Sequence, residues 1–408
     1  MTVDEFDATA ITRAATTLYL QLHRNPELSG AEAGTADRLA SWLRLDGYQV
    51  ATGVGGHGVV GLLSRGVECA ADGPIVMIRG ELDALPIQER TGLPYASTAT
   101  GVMHACGHDL HVAAVAGAAR TLAADDDWRG TVMVVGQPAE ETLQGARAML
   151  DARLYERFGR PTVLLAQHTA PLPAGMVAHG RGPVLAGSVS LEVVIHGRGG
   201  HASAPQLTID PVVIAAAVVL RLQTIVSREC SPAEQVVLSV SSLHAGSSDN
   251  VLPDRAELSV TVRAFAQESL DRVVTAIRRI VRGECDAGGC IREPEVRVIS
   301  RSPVTVPDPA ATDLVRRAHD AEFGSHRVTV WPGSMSTEDF PLLADGAGGS
   351  PIPTAYWMLG CVGKRQWVQP PIPGNHSAEF APEVARSLPT GITALVVAAL
   401  AHLTRWDQ

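Results

Sequence analysis

Four short apolar runs, rich in β-branched residues, recur in the first half of the chain together with stretches of helical spacing. The runs cover residues 59–63, 75–78, 131–135 and 162–166. The spacing of apolar residues at 8–23 and 31–46 predicts two helices before the first run. Continuous apolar strands that alternate with helices are typical of a parallel sheet covered on both faces. The sequence therefore predicts an α/β fold with a mostly parallel sheet flanked by helices.

Ionisable side chains follow three of these runs. Asp83 comes after run 75–78, the pair Glu140 and Glu141 comes after 131–135, and His168 comes after 162–166. In open α/β sheets, ligands bind at the edge formed by the carboxyl ends of the strands. We therefore expect these side chains to lie near one another. A purely structural interpretation would need a separate reason for each of them.

The pattern of the chain changes near residue 184. Strand-like runs and helical stretches then follow in the order β-α-β-β-α-β, at 190–196, 211–229, 235–243, 256–265, 267–283 and 295–300. This order is the ferredoxin-like arrangement. A chain of 408 residues also exceeds the length of roughly 250–300 residues at which one core usually divides. We therefore predict one domain formed by residues 1–184 and 303–408, and an inserted domain formed by 185–302.

Composition and charge exclude several classes of protein. The net charge is −10 and basic residues cluster only in pairs, so no nucleic-acid partner is expected. The longest apolar stretches, 212–222 and 392–403, are shorter than the roughly 18–20 residues of a membrane span, so they are predicted to be buried helices. The first residues are acidic where a secretory signal is basic, and the cysteines lack Cys-x-x-Cys spacing. We therefore expect a cytoplasmic protein with reduced thiols and no membrane partner.

A thiol and an imidazole lie two residues apart in the segment Cys106-Gly107-His108, just before an apolar helical stretch. Soft and borderline ligands at such close spacing usually hold a metal ion. A buried free cysteine beside a hydrogen-bonded histidine is the competing interpretation. His376 lies on a Pro- and Gly-rich loop, and it is either a further ligand or an ordinary exposed histidine.

Several polar motifs follow one another from about His23 to Leu403. They are His104-Ala105-Cys106-Gly107-His108-Asp109, Gln137-Pro138-Ala139-Glu140-Glu141, His168, Gly197-Arg198-Gly199-Gly200-His201-Ala202, Asn250-Val251-Leu252-Pro253, Arg263, Glu338-Asp339-Phe340 and Asn375-His376-Ser377. In this order they resemble the motifs of the dinuclear metallo-amidohydrolases related to aminoacylase. Within that family, the chain resembles most the branch of hippurate hydrolases and auxin-amino-acid-conjugate hydrolases.

The resemblance implies a catalytic metal-binding domain at 1–184 and 303–408 that holds two divalent ions, zinc or manganese. Its implied metal ligands are Cys106, His108, Glu141, His168 and His376. The thiolate favours zinc, whereas the imidazole and carboxylate ligands also permit manganese. Five protein ligands for two ions leave coordination positions open, and open positions distinguish catalytic metal sites from structural ones.

The resemblance also gives roles to two carboxylates that do not bind the metals. Glu140 is the implied general base, and Asp83 is implied to orient a metal-binding histidine. By itself, Glu140 is more typical of a solvated acid at the start of a helix predicted at 142–150, where the helix dipole favours negative charge. The chain departs from its branch at Glu81, where aspartate is usual.

By the same resemblance, the inserted domain at 185–302 is a lid and dimerisation domain. His201 is implied to donate to the oxyanion of the reaction, while Asn250 and Arg263 are implied to hold the substrate carboxylate. The planar fork of arginine suits carboxylate recognition. In this family the histidine commonly reaches the site of the partner subunit, so a homodimer through the inserted domain is expected.

These inferences predict a metal-dependent amidohydrolase that acts on a small molecule. The expected reaction splits the amide of an N-acyl amino acid or a similar conjugate into a carboxylic acid and an amino acid. A dipeptidase or carboxypeptidase would share the metal site and differ in the pocket. A non-catalytic binding protein of the same fold is the other alternative. The sequence does not identify the acyl group.

Overall fold

We describe a computed structural model of the chain, which covers residues 5–66, 73–345, 350–368 and 370–405. The helices are α1 Glu5–Arg24, α2 Ala33–Leu45, α3 His108–Ala124, α4 Gly145–Asp151, α5 Leu154–Phe158, α6 Pro211–Thr224, α7 Gln267–Ala287, α8 Pro309–Phe323, α9 Phe340–Asp345, α10 Lys364–Trp367 and α11 Val384–His402. The strands are β1 Gln49–Val54, β2 Gly58–Arg65, β3 Ile75–Glu81, β4 Trp128–Gln137, β5 Val163–Pro173, β6 Val177–His179, β7 Gly187–His196, β8 Gly200–His201, β9 Val236–Ala245, β10 Val251–Leu252, β11 Arg255–Ala264, β12 Glu295–Ser302, β13 Val328–Val330, β14 Thr354–Val362 and β15 Thr404–Arg405.

The chain forms two compact units. The first consists of Met1–Val184, Pro307–Pro332 and Asp339–Gln408. The second consists of Leu185–Val306 and Gly333–Glu338. The short second segment of this unit comes from a loop late in the chain, and the sequence pattern did not indicate that it belongs there.

The first unit is built on one sheet with the strand order β1-β2-β4-β3-β5-β14-β6-β13, and β15 pairs with β4. The four central strands, β4, β3, β5 and β14, run parallel, while the antiparallel pairs lie mostly toward the edges. Strands β3 and β14 are buried along their whole length, as expected where both faces of a parallel sheet are covered. Helices α1, α2, α3, α8 and α11 share one apolar core with the sheet. The predicted fold class is confirmed.

The register of the parallel strands aligns polar residues at the carboxyl edge of this sheet. Glu81, the last residue of β3, pairs with Gln137, the last residue of β4. On the other side of β3, Arg79 pairs with Ala166 of β5, so Glu81 is level with His168. The same edge therefore presents residues from three strands to one place.

The second unit has the predicted ferredoxin-like order β7-α6-β9-β11-α7-β12. Its sheet has the strand order β12-β7-β11-β9, and all pairs are antiparallel. Helices α6 and α7 pack on this sheet and complete an apolar core of its own. Strands β8 and β10 form a separate two-stranded ribbon.

Two segments, Pro211–Glu229 and Val384–His402, are long and apolar enough to cross a membrane by length and composition alone. Helix α11 packs against α3 and α8 in the core of the first unit, as predicted. The predicted burial of the other segment is only half right, because α6 buries one face and exposes Val213 and Leu220 on another. The helix also ends at Thr224, and a π-helical turn over Ile225–Glu229 follows it.

Two predicted element boundaries are wrong. His168 lies inside β5 rather than after it, because the strand continues to Pro173. The helix predicted at 142–150 begins only at Gly145, since Leu143 adopts a left-handed conformation with φ 56° that a helix does not admit. Cys69 lies outside the described residues, and the other five cysteines are free thiols.

Candidate metal centre

The first unit brings the five predicted ligands together at the carboxyl edge of its sheet. Cys106 Sγ lies 3.4 Å from Nε2 of His168. Nε2 of His108 lies 3.8 Å from Oε1 of Glu141, and Oε2 of Glu141 lies 3.4 Å from Nε2 of His376. One potential ligand atom from each of Cys106, His108 and Glu141 lies within 4.8 Å of the other two.

Hydrogen bonds to the backbone determine the tautomers of two of these histidines. Nδ1 of His108 donates to the carbonyl of Asp83 at 2.8 Å, and Nδ1 of His168 donates to the carbonyl of Thr169 at 2.9 Å. In the neutral form of each ring the lone pair is therefore on Nε2, which faces the other predicted ligands. Burial, together with the nearby His111, lowers the pKa of His168 to about 3, so this ring is neutral and able to bind a cation.

The atoms in this cluster fit a divalent cation. Nε2 of His108 and Oε1 of Glu141 are buried without a hydrogen-bond partner, although buried polar atoms are normally paired. Burial raises the pKa of the Cys106 thiol to about 12, and a cation at this position would displace its proton. Thiolate, imidazole and carboxylate together suit zinc or manganese better than calcium or magnesium.

The adjacent pair Glu140 and Glu141 lies on a tight turn between β4 and α4. Because α4 begins at Gly145, the interpretation of Glu140 as a solvated acid in the first helical turn is wrong. Glu140 is only 5% exposed, and its Oε2 lies 3.8 Å from Nε2 of His108. The two neighbouring carboxylates thus approach the same imidazole. This geometry allows Glu141 to bind a cation while Glu140 stays available for proton transfer.

Asp83 connects two of the predicted ligands. Its Oδ2 accepts hydrogen bonds from Oγ of Ser29 at 2.7 Å and from the amide of Glu141 at 2.9 Å. Its Oδ1 lies 3.3 Å from Nδ1 of His108. Although burial opposes ionisation, the contacts with His108, Ser29 and Glu141 lower the pKa of Asp83 below its ordinary value. An ionised Asp83 is therefore placed to orient the imidazole of His108.

A second group of potential ligands lies beside the first. Glu81, His108, His111 and His168 each have a ligand atom within 4.8 Å of the others. Both nitrogens of His111 are already used, because Nδ1 contacts Oε2 of Glu81 at 2.8 Å and Nε2 accepts from the amide of Thr169 at 2.9 Å. Glu81 and His111 thus lie next to the predicted ligands and bind neighbouring groups, and they do not add a further metal-binding position.

Comparisons with known proteins agree with this chemistry. A profile described as peptidase family M20/M25/M40 matches residues 77–401. The chain belongs to this family. The predicted resemblance is confirmed.

Alignments with several relatives cover most of this chain. N-acetylcysteine deacetylase of Bacillus subtilis (strain 168) is 36% identical over 357 residues, which cover 86% of this chain and 88% of that protein. Thermostable carboxypeptidase 2 of Saccharolobus solfataricus is 34% identical over 364 residues, with 88% of each chain covered. Hippurate hydrolase of Campylobacter jejuni is 36% identical over 332 residues, which cover 80% of this chain and 83% of that protein.

A solved structure supports the same assignment. A Bacillus subtilis protein described as a dinuclear metal binding peptidase of the M20 family matches with a TM-score of 0.77 and 29% identity, covering 97% of this chain and 99% of that one. The prediction that the chain is a metal-dependent amidohydrolase is confirmed by its family and relatives.

In this M20/M25/M40 family member, the second unit contains the three other predicted site residues. His201 on β8 pairs with Val251 of β10, and the carbonyl of Asn250 accepts a hydrogen bond from the amide of Ala202. His201 and Asn250 are thus brought together on one ribbon. Arg263 is separate from them, near the far end of β11, where its guanidinium donates to the carbonyl of Met335 at 2.7 Å.

The sequence analysis assigned no role to two residues that hold the turn of Glu140 in place at the candidate metal centre. Asp339 accepts hydrogen bonds from Nε2 of Gln137 at 2.6 Å and from the amide of Ala146 at 2.9 Å, so it anchors both ends of the turn that carries Glu140. Glu32 accepts from the amide of Ala139 at 2.8 Å in the same turn. In the sequence, Asp339 was noted only as part of the motif Glu338-Asp339-Phe340, and no local pattern indicated a role for Glu32.

Proposed function

We propose that this protein hydrolyses the amide bond of N-acyl amino acids or similar conjugates, releasing a carboxylic acid and an amino acid. The convergence of Cys106, His108, Glu141, His168 and His376 beside the buried carboxylate of Glu140 carries the proposal. The deacetylase and hydrolase names of the relatives support this class of substrate. Aminoacylase-type chemistry needs a bound cation pair, a proton acceptor and a substrate anchor, and the chain offers residues for each.

When bound, the cation pair lowers the pKa of water toward neutrality and polarises the amide carbonyl. Glu140 would accept a proton from the attacking water and later donate it to the departing nitrogen, so that the carboxylate ends the cycle as it began. Asp83 would keep Nε2 of His108 directed toward the cations. The low exposure of Glu140 keeps bulk water from competing for its proton.

Substrate recognition is proposed for the second unit. His201 would stabilise the oxyanion, and Asn250 and Arg263 would bind the carboxylate of the substrate. Arg255, at the start of β11, lies beside the ribbon that contains His201, and Arg263 lies eight residues further along the same strand. At 3.4 Å per residue, these two positions on the strand are roughly 27 Å apart. An N-acyl amino acid does not span that distance. Two copies of the chain, related by symmetry, would supply His201 and Arg263 to the same substrate.

The surface of the second unit favours such a homodimer. Within the part of the chain that the structure describes, β9 is an edge strand that pairs with β11 alone. Edge strands readily pair with a second chain. Helix α6 packs beside β9 and exposes Val213 and Leu220, which are 65% and 73% exposed. We therefore propose an antiparallel dimer in which β9 and α6 of each copy meet their counterparts.

The proposal also includes the compartment and the partners. The five free cysteines of the described residues are consistent with a reducing compartment such as the cytoplasm. The negative net charge argues against a nucleic-acid partner. The thiolate of Cys106 favours zinc, with manganese as the alternative.

Replacement of the proposed base tests the function. E140Q should lower kcat for N-acetyl and N-benzoyl amino acids by roughly 10²–10⁴-fold, because the amide cannot accept the proton. The content of bound zinc or manganese should stay at the wild-type value. E322Q, which changes an exposed glutamate on α8, is the control and should keep full activity. Unchanged turnover in E140Q would reject the proposed base.

A carboxypeptidase is the second candidate, because two relatives have that name. A panel of dipeptides and N-acyl amino acids, assayed with the same metal-loaded enzyme, separates the two. A higher kcat/KM for dipeptides would favour the carboxypeptidase. Bound metal without turnover of any substrate in the panel would indicate a non-catalytic binding protein.

A further inference from the structure

Thr169 follows His168 on β5, and all of its polar atoms are used inside the candidate metal centre. Its hydroxyl donates to the carbonyl of Cys106 at 2.8 Å, and its amide donates to Nε2 of His111 at 2.9 Å. Its carbonyl accepts from Nδ1 of His168 at 2.9 Å. The side chain is 2% exposed. This one residue therefore connects the strand of His168 with the turn of Cys106.

Asn375, which precedes His376, adds a third connection. Its Nδ2 lies 3.2 Å from Oγ1 of Thr169, 3.2 Å from the carbonyl of Cys106 and 3.7 Å from Sγ of Cys106. Because the hydroxyl hydrogen of Thr169 goes to Cys106, the hydroxyl oxygen is free to accept from Asn375. The loop of His376 is thus tied to the same hydroxyl.

Both γ atoms of Thr169 are closely packed. Gly107, which precedes α3, has φ 84°, and a Cβ at Gly107 would lie 2.8 Å from Oγ1 and 3.1 Å from Cγ2 of Thr169. The backbone between Cys106 and His108 therefore rests directly on this side chain. A β-branched side chain with few rotamers suits such a contact.

We propose that Thr169 is a positioning residue of the metal centre. Its hydroxyl sets the separation of Cys106 and His168 and holds Asn375 toward the sulfur of Cys106. Thr169 itself supplies no proposed ligand atom and acts through these neighbours. The inference rests on the proposed function, since it requires that Cys106, His168 and His376 bind metal.

Two substitutions separate the hydroxyl from the packing. T169V keeps the shape of the side chain and removes the hydroxyl, whereas T169S keeps the hydroxyl and removes the methyl group. We expect T169V to weaken zinc binding by roughly 10–100-fold in competition with a chelator, as is usual when a partner of a metal ligand is lost. T169S should bind zinc with nearly the wild-type affinity.

Cobalt substitution gives a readout that general loss of stability would not change. Cobalt bound to a thiolate has a charge-transfer absorption in the near ultraviolet. We expect this band to shift or weaken in metal-saturated T169V and to stay unchanged in T169S. T312V is the control, because the hydroxyl of Thr312 on α8 is buried without a hydrogen-bond partner, and its removal should change neither the affinity nor the band.

The outcomes separate this inference from the proposed function. If wild-type protein binds metal and hydrolyses N-acyl amino acids while T169V matches it in affinity and spectrum, the role of Thr169 is rejected and the function stands. Equal weakening in T169V and T169S, with equal loss of thermal stability in the metal-free proteins, would mean that packing rather than the hydroxyl matters. If the wild type neither binds metal nor turns over substrate, the proposed function itself fails.

Discussion

At the scale of single residues, Glu81 has a role that the sequence alone did not indicate. The resemblance noted in the sequence led us to expect aspartate at this position, and the two oxygens of the glutamate contact Arg79 and His111. All three side chains are buried, and Arg79 and His111 lower the pKa of Glu81 well below its ordinary value despite that burial. The longer side chain of glutamate thus takes part in a buried ionic contact next to the candidate metal centre. Because breaking a buried ion pair leaves a charge without its partner, such a change is costly.

The matching experiment is E81Q. We expect this substitution to lower the free energy of unfolding by about 3 kcal/mol, since the buried charge of Arg79 then loses the carboxylate that it contacts at position 81. Urea unfolding of the metal-free protein measures the effect. E257Q is the control, because Glu257 and Arg255 form an exposed pair with the same spacing on β11, and its loss should cost less than about 1 kcal/mol. Equal losses would contradict the buried role.

At the scale of elements, the turn between β4 and α4 decides where Glu140 and Glu141 point. Ala139 has φ 49° and Leu143 has φ 56°, both in the left-handed region. The sequence predicted that a helix starts at residue 142, but hydrogen bonds from the backbone to the carboxylates of Asp339 and Glu32 hold this turn in another conformation. Local propensity is a weak preference, and tertiary contacts override it here.

Gly145 ends this turn, and G145A tests it. A Cβ at Gly145 would lie 1.5 Å from the carbonyl oxygen of Pro138, so the turn must move. We expect kcat to fall by roughly 100-fold, as a displacement of about 1 Å in a catalytic group often causes. G283A is the control, because no atom lies within 4 Å of an added Cβ at this position in α7, and alanine should stabilise the helix by about 0.5–1 kcal/mol. Wild-type kcat in G145A would show that the turn tolerates the shift.

At the scale of the whole molecule, the proposed dimer predicts that two inactive variants restore each other. E140Q lacks the proposed base and H201A lacks the proposed oxyanion donor, so each homodimer should be inactive. When both are co-expressed with different tags and the mixed dimer is purified, one of its two sites contains both intact residues. We expect about half of the wild-type activity per dimer.

This result depends on which subunit supplies His201. If His201 acts in the site of its own subunit, every site in the mixed dimer lacks one residue and no activity returns. Sedimentation analysis of the mixed dimer confirms that its subunits are associated, so an inactive monomer is not mistaken for a failure of complementation.

Much of the fold and the chemistry could be predicted from the sequence because both depend on local patterns. The alternation of strands and helices follows from apolar periodicity, and the order of the elements in the second unit follows from the same periodicity. The close spacing of Cys106 and His108 before a helix, together with the ionisable groups that follow three strands, indicated metal chemistry, and the order of the motifs indicated the family. The boundaries of β5 and α4 could not be predicted, because contacts with distant segments decide where they begin and end.

By itself, the amino-acid sequence determined the fold class, the family and the chemical types of the candidate ligands, because these follow from periodicity and residue identity along the chain. Only the tertiary structure decided which atoms meet. Cys106 and Asn375 are 269 positions apart and still lie in contact, and Glu32 reaches a turn that is 107 positions away. Such contacts depend on how the sheet aligns its strands and on how the loops pack above its edge, and no local pattern in the chain records that packing.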